Sequence, residues 1–161
     1  MRLSLSLIAL LVIYESCKKK SACNPEFYST VFEAGKQLKD TSISYESDSM
    51  HSYTEAPGSN LVFRYSHGQD GCDIVDPGDE NLNFEINSTL TGFEYRDSSI
   101  FATKCYYYVA QLFFNQYSIQ KISKGILKGI RLSATKWNIT ANIQTDFGSP
   151  VSFNKTFTLA Q

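Results

Sequence analysis

The strongest constraint in this sequence is a two-residue alternation of apolar and polar side chains that recurs from about residue 61 to the C-terminus. Polar residues separate Leu82, Phe84 and Ile86, and the same alternation follows Trp137. Because successive side chains of a β-strand point to opposite faces, this period predicts strands with one buried face. No segment has the sustained apolar spacing of an amphipathic helix. The sequence therefore predicts an all-β fold.

Several apolar segments separated by turn residues predict a series of short strands. The positions that define them are Leu61, Phe63 and Tyr65; Leu82, Phe84 and Ile86; Phe93 and Tyr95; Ile126, Ile130 and Leu132; Trp137, Ile139, Ala141 and Ile143; and Val151, Phe153, Phe157 and Leu159. Residues 105–114 are apolar on both faces, as is typical of a central strand, and 117–123 should continue that strand or pair beside it. This spacing favours an antiparallel β-sandwich, of which an immunoglobulin-like arrangement is one version. The Cys-Trp-Cys order of a true immunoglobulin domain is missing from the sequence.

The region before residue 61 gives weaker signals. Residues 27–32 fit a first strand, and 33–40 fit a short helical turn or a loop. The polar stretch 47–60 contains the turn-forming pair Pro57-Gly58, and we expect a loop there.

Composition permits a packed core and narrows the possible partners. The chain has 161 residues, of which 42% are hydrophobic and 14% aromatic, so a single domain can bury a core. The net charge is -1, and subtracting Lys18, Lys19 and Lys20 leaves -4 for the residues that follow them. A nucleic-acid-binding face needs a basic excess, so we expect no nucleic-acid partner.

The N-terminus has the composition of a targeting segment. Arg2 precedes an apolar run of eleven residues, 3–13, which is interrupted only by Ser4 and Ser6. A bilayer-spanning helix needs roughly 20 residues, whereas a run of this length matches the core of a signal peptide. A buried N-terminal element is the structural alternative, but the Cys-Lys-Lys-Lys sequence after the run favours the signal peptide.

This segment resembles a bacterial lipoprotein signal peptide with its lipobox, in the loose form found in the Bacteroidota. The resemblance depends on Cys17, on the small residue Ser16 before it and on the lysines after it. Tyr14 and Glu15 depart from the usual lipobox, which has Leu and a small residue there. The hairpin expected at 124–145 is also similar to one in small uncharacterised envelope lipoproteins, and that likeness implies no activity.

The resemblance implies a lipid-anchored, exported protein. Residues 1–16 would be removed, Cys17 would be lipidated, 17–25 would form a short basic tether, and 26–161 would form a single β domain. Two or three acyl chains hold a protein stably on a membrane, and each nearby lysine adds about 1 kcal/mol on an anionic surface. In this family an Asp after the cysteine often retains the protein at the inner membrane, so Lys18 implies the outer membrane, facing either side.

An acidic segment between two predicted strands is the most suggestive candidate metal site. Its carboxylates are Asp70, Asp73, Asp76, Asp79 and Glu80. Calcium takes roughly six to eight oxygen ligands, which loop carboxylates and carbonyls can supply, although this spacing differs from that of an EF-hand. We therefore treat the four aspartates as candidate Ca²⁺ ligands, with a solvated acidic turn as the simpler interpretation.

No set of residues has the spacing of a known catalytic motif. The sequence has no Gly-x-Ser-x-Gly elbow, no His-Glu-x-x-His and no phosphate-binding glycine loop. His51 and His67 are far apart in sequence and are expected to be exposed or nearly exposed strand-end residues rather than zinc ligands. Asp76 and Glu85 could perform acid–base chemistry, as could many carboxylate pairs in acidic β proteins. We expect a non-enzymatic binding or structural module, with a secreted hydrolase or lyase acting on envelope or dietary polymers as the alternative.

Two further features suggest partners. The densest aromatic patch comprises Tyr106, Tyr107, Tyr108, Phe113 and Phe114. Core filling on a central strand is its simpler interpretation, and an exposed platform for a sugar or a protein surface is the other. Asn87, Asn138 and Asn154 each begin an Asn-x-Ser/Thr sequence, so a eukaryotic secreted glycoprotein remains a third interpretation of the chain.

The cysteines are candidates for a disulfide in an oxidising compartment. Lipidation of Cys17 leaves Cys23, Cys72 and Cys105, which allow three alternative single bridges. We favour Cys72 with Cys105, because that bridge would attach a long loop to the sheet and contribute roughly 3–4 kcal/mol. A bridge from Cys23 to either of the others stays open.

Overall fold

The protein is almost entirely β-sheet. The computed structural model describes residues 27–45, 48–68, 79–111, 116–145 and 150–161. The described strands are β1 (Phe27–Tyr45), β2 (Asp48–Gly68), β3 (Asp79–Asn87), β4 (Gly92–Arg96), β5 (Tyr106–Gln111), β6 (Gln116–Lys121), β7 (Gly125–Ser133), β8 (Lys136–Ile143) and β9 (Val151–Leu159). A 3-10 helix, Asp97–Thr103, joins β4 to β5. The prediction of an all-β fold is confirmed.

All nine described strands belong to one hydrogen-bonded sheet. Their order is β4-β7-β8-β9-β1-β2-β3-β5-β6. Neighbouring strands are antiparallel except β1 and β9, which are parallel, so the sheet is mixed. The predicted antiparallel sandwich and its immunoglobulin-like version are therefore not confirmed, because the β1–β9 pairing joins the N-terminal and C-terminal strands into a continuous sheet.

The sheet curls until its two halves face each other. Strands β4 and β3 are six places apart in the sheet, which would separate them by roughly 29 Å if it were flat. The ring centroids of Phe93 in β4 and Phe84 in β3 are nevertheless only 6.1 Å apart. Trp137 in β8 likewise meets Phe63 in β2 edge-on at 5.8 Å. The concave face of one sheet therefore encloses the main core.

The residues on the concave face are those that the alternation predicts to be buried. Phe63, Phe84, Trp137 and Phe157 are almost wholly inaccessible to solvent. Ile100 of the 3-10 helix completes the same cluster. Aromatic rings dominate this core, and their edge-on and offset contacts add to the free energy that burial supplies.

In β7 the predicted shared face is the outer one. Ile130 and Leu132 are exposed, whereas Leu127, on the opposite face of the same strand, is fully buried. The pairing of β7 with β8 accounts for this, because it sets Leu127 opposite the buried Ala141.

Two local predictions are wrong, and a third is confirmed. Residues 33–40 lie in β1, not in a helical turn or loop, and 47–60 lie largely in β2, not in a loop. The two strands pair along almost their whole length, with a register irregularity near Lys36 and Pro57 that accommodates the turn-forming residues. Strand β5 is an inner strand, as predicted: it pairs with β3 on one side and on the other with β6, which ends the described sheet and pairs with β5 as 117–123 suggested.

Beyond this irregularity, the described residues 36–45 and 48–57 of β1 and β2 fold back over the convex face, and we call them the arm. Arg64 and Glu55 would be roughly 30 Å apart on a straight β2. Arg64 Nε nevertheless donates to Glu55 Oε1 at 2.5 Å. Gly35 adopts a positive φ of 72° at the bend, a conformation that favours glycine.

The arm explains why 105–114 is apolar on both faces. Leu38 of the arm and Val62 beneath it are buried, although both lie outside the main core cluster. The outward ring of Tyr106 in β5 lies 5.2 Å from that of Tyr53 in the arm. The arm therefore forms a second layer on the convex face.

The predicted signal peptide, the lipidation site Cys17 and the tether lie outside the described residues, so these predictions and the domain boundaries stay as they are. Among the residues that the structure describes, no helix is long and apolar enough to cross a membrane.

Candidate ligand-binding cleft

Polar side chains replace apolar ones at one end of the concave face. In β2 the inward-facing series Leu61, Phe63 and Tyr65 continues to His67. In β3 the inward-facing series from Ile86 back to Leu82 continues to Glu80. Ionisable residues in the buried phase of a strand are unusual, and they distinguish this end of the sheet from the core.

These residues belong to a row that crosses four adjacent strands. Tyr28 in β1 is opposite His67 in β2, which is opposite Glu80 in β3. On the other side of β1, the parallel register pairs Val31 with Thr158, and the same offset places Lys155 of β9 beside Tyr28. We call Lys155, Tyr28, His67 and Glu80 the cross-strand row.

Each side chain of the row contacts the next one along the row. Lys155 Nζ lies 4.2 Å from the centroid of the Tyr28 ring. The Tyr28 and His67 rings stack at 4.6 Å with 5° between their planes. His67 Nδ1 is 3.5 Å from Glu80 Oε2. Because β9 and β2 flank β1, the ammonium and the imidazole lie against opposite faces of the tyrosine.

The row lines an open cleft of about 350 Å³. Tyr65 and Phe153, whose rings stack at 4.1 Å, form its apolar floor. A volume of this size lies at the lower end of the range for small-molecule sites, which combine apolar walls with a few polar groups. The geometry therefore defines a candidate binding site.

The carboxylate of Glu80 has two partners. Besides His67, Tyr107 forms a side-chain hydrogen bond with it. Burial raises the pKa of Tyr107, and the charge of Glu80 and this hydrogen bond raise it further, so the phenol stays protonated and donates. Both partners hold the carboxylate at the β3 wall of the cleft.

Lys155 differs from Glu80 in its surroundings. Within the described part of the chain it forms no ion pair, and the contact that it makes there is with the Tyr28 ring. A cation over an aromatic face is a recognised weak interaction that leaves the ammonium free to bind an anion.

The structure leaves the calcium prediction untested. Asp70, Asp73 and Asp76 lie outside the described residues, and Asp79 is described only as the first backbone position of β3. No group of three or more metal-ligating side chains occurs in the described ranges.

The prediction that both histidines are exposed or nearly exposed strand-end residues can be compared with the structure only for His67. His67 does lie at a strand end, but its side chain is largely buried, because it points into the concave side. His51 is described only as a backbone position in β2. The signal that would have found His67 and Glu80 was present in the sequence, since both continue the apolar phase of their strands.

Glu85 lies on the opposite face of β3 from Glu80, beneath the arm. It is 5% exposed, and its carboxylate accepts a hydrogen bond from the Leu38 N–H. Lys104 Nζ lies 2.8 Å from Glu85 Oε1 and donates to the Leu38 carbonyl at 2.5 Å. This carboxylate therefore holds the arm on the sheet, and its partner in the predicted acid–base pair, Asp76, is outside the described residues.

The predicted aromatic patch is divided between two faces. Tyr107 fills the core, and Tyr106 packs under the arm, where burial raises its pKa to about 12. Tyr108 is half-buried on the same outer face, while Phe113 and Phe114 lie outside the described residues.

Cys105 is a buried free thiol, and burial raises its pKa. The other two disulfide candidates, Cys23 and Cys72, lie outside the described residues, so a bridge in the oxidised protein stays a prediction. A thiol with a raised pKa is a poor nucleophile at neutral pH.

Comparison of the chain with models of protein families, with curated proteins and with solved structures finds no match. The cleft itself lies on a curled β-sheet and has aromatic walls, one carboxylate, one imidazole and one ammonium.

Proposed function

We propose that this chain is a lipid-anchored cell-envelope protein whose β domain binds a carbohydrate in the cleft at the cross-strand row. The observation that carries the binding proposal is the row itself. Four side chains that point to the concave face are polar or amphipathic at a level of the sheet where an open cleft is present.

The chemistry of the cleft suits a sugar. A pyranose ring has apolar C–H faces and polar hydroxyl edges, so it needs an aromatic surface beside hydrogen-bonding groups. Tyr28 is 45% exposed and supplies aromatic surface. Glu80 supplies acceptors, Lys155 supplies donors, and the cleft volume of about 350 Å³ accommodates roughly one or two sugar rings.

The envelope location is supported by the lipoprotein-like segment that ends at Cys17. Nine residues lie between Cys17 and Phe27, the first residue of β1, so the two are ten residue steps apart. Even fully extended, such a tether spans at most about 36 Å. The domain would thus remain close to the membrane, and Lys18 favours the outer membrane.

Carbohydrate binding is tested by calorimetric titration of the detergent-solubilised mature chain with a panel of neutral and acidic oligosaccharides. We expect Tyr28→Ala to weaken binding at least tenfold, because it removes the centre of the row. Phe101→Ala is the matched control, since Phe101 is an exposed aromatic residue outside the cleft. Equal affinities for the wild type, Tyr28→Ala and Phe101→Ala, or no binding to any sugar, would contradict the proposal.

The anchor is tested by metabolic labelling of the full chain with a palmitate analogue. We expect label on the wild type and on Cys23→Ser, and none on Cys17→Ser. The Cys23→Ser control separates lipidation of the lipobox cysteine from acylation of a nearby thiol. Label that persists in Cys17→Ser would exclude the anchor.

Catalysis on a polymer is a second candidate, which the contact between His67 and Glu80 favours. An imidazole held by a carboxylate in a cleft is an arrangement that can transfer protons. If the protein is a hydrolase or lyase, oligosaccharides that bind should be cleaved, and His67→Ala should abolish cleavage while binding persists. If bound oligosaccharides stay intact, the catalytic candidate is wrong and only the binding function remains.

A further inference from the structure

The two charged residues at the ends of the cross-strand row, Glu80 and Lys155, differ in the partners that the protein gives them. Glu80 at one end has His67 and Tyr107 as partners. Lys155 at the other end lies on the Tyr28 ring and has no ion pair among the described residues. Glu80 therefore has two polar partners from the protein, whereas the ammonium of Lys155 has no polar partner among the described residues and is the charge in the cleft most available to a ligand.

Glu80 is too far along the sheet to neutralise Lys155. Three strand spacings separate β9 from β3, which is about 14 Å along the sheet. This exceeds the electrostatic screening length of about 8 Å at physiological ionic strength. The rings of Tyr28 and His67 also fill the space between the two charges.

Although Lys155 has no ion pair among the described residues, its backbone and side-chain contacts define its position. The parallel pairing of β1 with β9 and the hydrogen bond from Thr30 Oγ1 to the Thr156 carbonyl at 2.9 Å hold its backbone beside Tyr28. The ring then receives the ammonium at 4.2 Å, at the edge of the cleft. A cation fixed at a known place beside an aromatic wall is a pre-arranged point of contact for an anion.

We propose that the ligand of the cleft is an acidic saccharide, and that Lys155 is the residue that selects it by binding its anionic group. This inference rests on the proposed carbohydrate-binding function. The anionic group would lie at the β9 side of the cleft, while a sugar ring extends over Tyr28 toward Glu80. A neutral sugar would make the same ring contacts but would leave the ammonium without a counter-charge.

The test compares acidic saccharides with neutral relatives that have the same rings. Trigalacturonate is titrated against its methyl ester, and sialyllactose against sialyllactose methyl ester, on the mature chain in detergent. The quantity of interest is the ratio of acidic to neutral affinity, because a variant that only perturbs the cleft lowers both affinities together.

We expect the wild type to prefer the acidic member of at least one pair by about tenfold or more, with a preference that falls as salt is raised. Lys155→Met should bring the ratio close to one, and Lys155→Arg should largely keep it. Lys136→Met is the control, since Lys136 is an exposed lysine of β8 outside the cleft, and it should behave as the wild type. Thermal melting of each variant establishes that it is folded.

Two outcomes would overturn the inference in different ways. If neutral sugars bind as tightly as acidic ones and Lys155→Met leaves the ratio unchanged, the acidic-saccharide inference is wrong and the carbohydrate-binding proposal stands. If no saccharide of either kind binds in a way that depends on Tyr28, both are wrong.

Discussion

Glu80 and Glu85 are five residues apart on β3, and the opposite faces of that strand give them opposite surroundings. Glu85 points to the convex face and is sealed beneath the arm, where Lys104 and the Leu38 N–H satisfy its carboxylate. Glu80 points into the cleft, where 39% of its side chain remains exposed beside His67. Glu85 is therefore a buried charge that holds the arm on the sheet, whereas Glu80 is a charge that solvent can reach.

The two regions also differ in whether their charged side chains have ionic partners. Beneath the arm the main charges are matched: Glu85 with Lys104, Asp40 with Lys121, and Arg64 with Glu33 and Glu55. For Glu85 this matching follows from the cost of burial, since a buried charge without a partner is strongly destabilising, whereas the Asp40–Lys121 pair is partly exposed. In the cleft Lys155 has no ion pair among the described residues, which is tolerable only because water reaches it. A charge that folding does not need is available for binding.

The largest effect should come from removing the sealed carboxylate. Glu85→Ala deprives the Leu38 N–H of its acceptor and leaves Lys104 without a counter-charge, so we expect the free energy of unfolding to fall by about 3 kcal/mol. Urea denaturation measures this change.

Two matched variants sharpen that measurement. Glu94→Ala removes a carboxylate whose partner Arg96 is also exposed, and it should cost less than about 0.5 kcal/mol. Glu80→Ala should lie between these values, because its carboxylate is partly solvated. A cost for Glu80→Ala equal to that of Glu85→Ala would remove the distinction between the two faces.

Leu38→Ala should have the next largest effect, because Leu38 is an apolar contact of the arm with the sheet and is only 1% exposed. We expect a loss of about 2–3 kcal/mol. Amide hydrogen exchange should accelerate in the arm more than in β8, since the arm can open while the main core stays intact. Leu132→Ala, at an exposed leucine, is the control and should be nearly neutral. Uniform acceleration across the sheet would show that the arm does not open separately.

A smaller effect, of about 1 kcal/mol or less at neutral pH, is expected from Arg64→Met. The hydrogen bond from Arg64, and then its charge, hold the pKa of Glu33 below its usual value of 4.5. A lowered pKa in the folded state means that Glu33 contributes stability above pH 4.5, and that this contribution is lost as the pH falls through the lowered pKa.

The difference in stability between the wild type and Arg64→Met should therefore be greatest near pH 7 and shrink below about pH 4. Urea denaturation at both pH values checks this. Arg131→Met is the control, because Arg131 is exposed and its side chain donates to the Ser133 carbonyl rather than to a carboxylate. A difference that stays constant from pH 7 to pH 3 would exclude a role for Glu33.

The alternation of side chains predicted the strands and their buried faces where pairing is local. The hairpin around Trp137 and the strand from Val151 to Leu159 are examples, because each strand there displays a complete apolar phase. The arm could not be predicted in this way. Its residues are mostly polar and end at Pro57, which Gly58 follows, and it becomes strand only because β1 and β2 pair with each other and fold over β3.

Only two of the four residues of the cross-strand row could be placed in the cleft from the sequence. His67 and Glu80 continue apolar phases that the alternation already defines, so their inward direction follows from the period of a strand. Lys155 and Tyr28 meet because β1 and β9 pair in parallel, although they are far apart along the chain. A single sequence contains no signal for the register of two such distant strands, so the aromatic contact of Lys155 required the structure.

The smallest change in stability should come from Lys155→Met, the variant with the largest expected change in ligand selectivity. Lys155 loses only its contact with the Tyr28 ring, and a cation over an exposed ring contributes about 0.5–1 kcal/mol. Methionine keeps an unbranched apolar side chain against the same ring, so part of that contact is retained and the net loss should be below about 0.5 kcal/mol. Urea denaturation of Lys155→Met beside Glu85→Ala tests the comparison directly. A loss of 2 kcal/mol or more would place Lys155 with the charges that hold the fold together, whereas an unchanged midpoint would agree with a cation that the fold itself does not need.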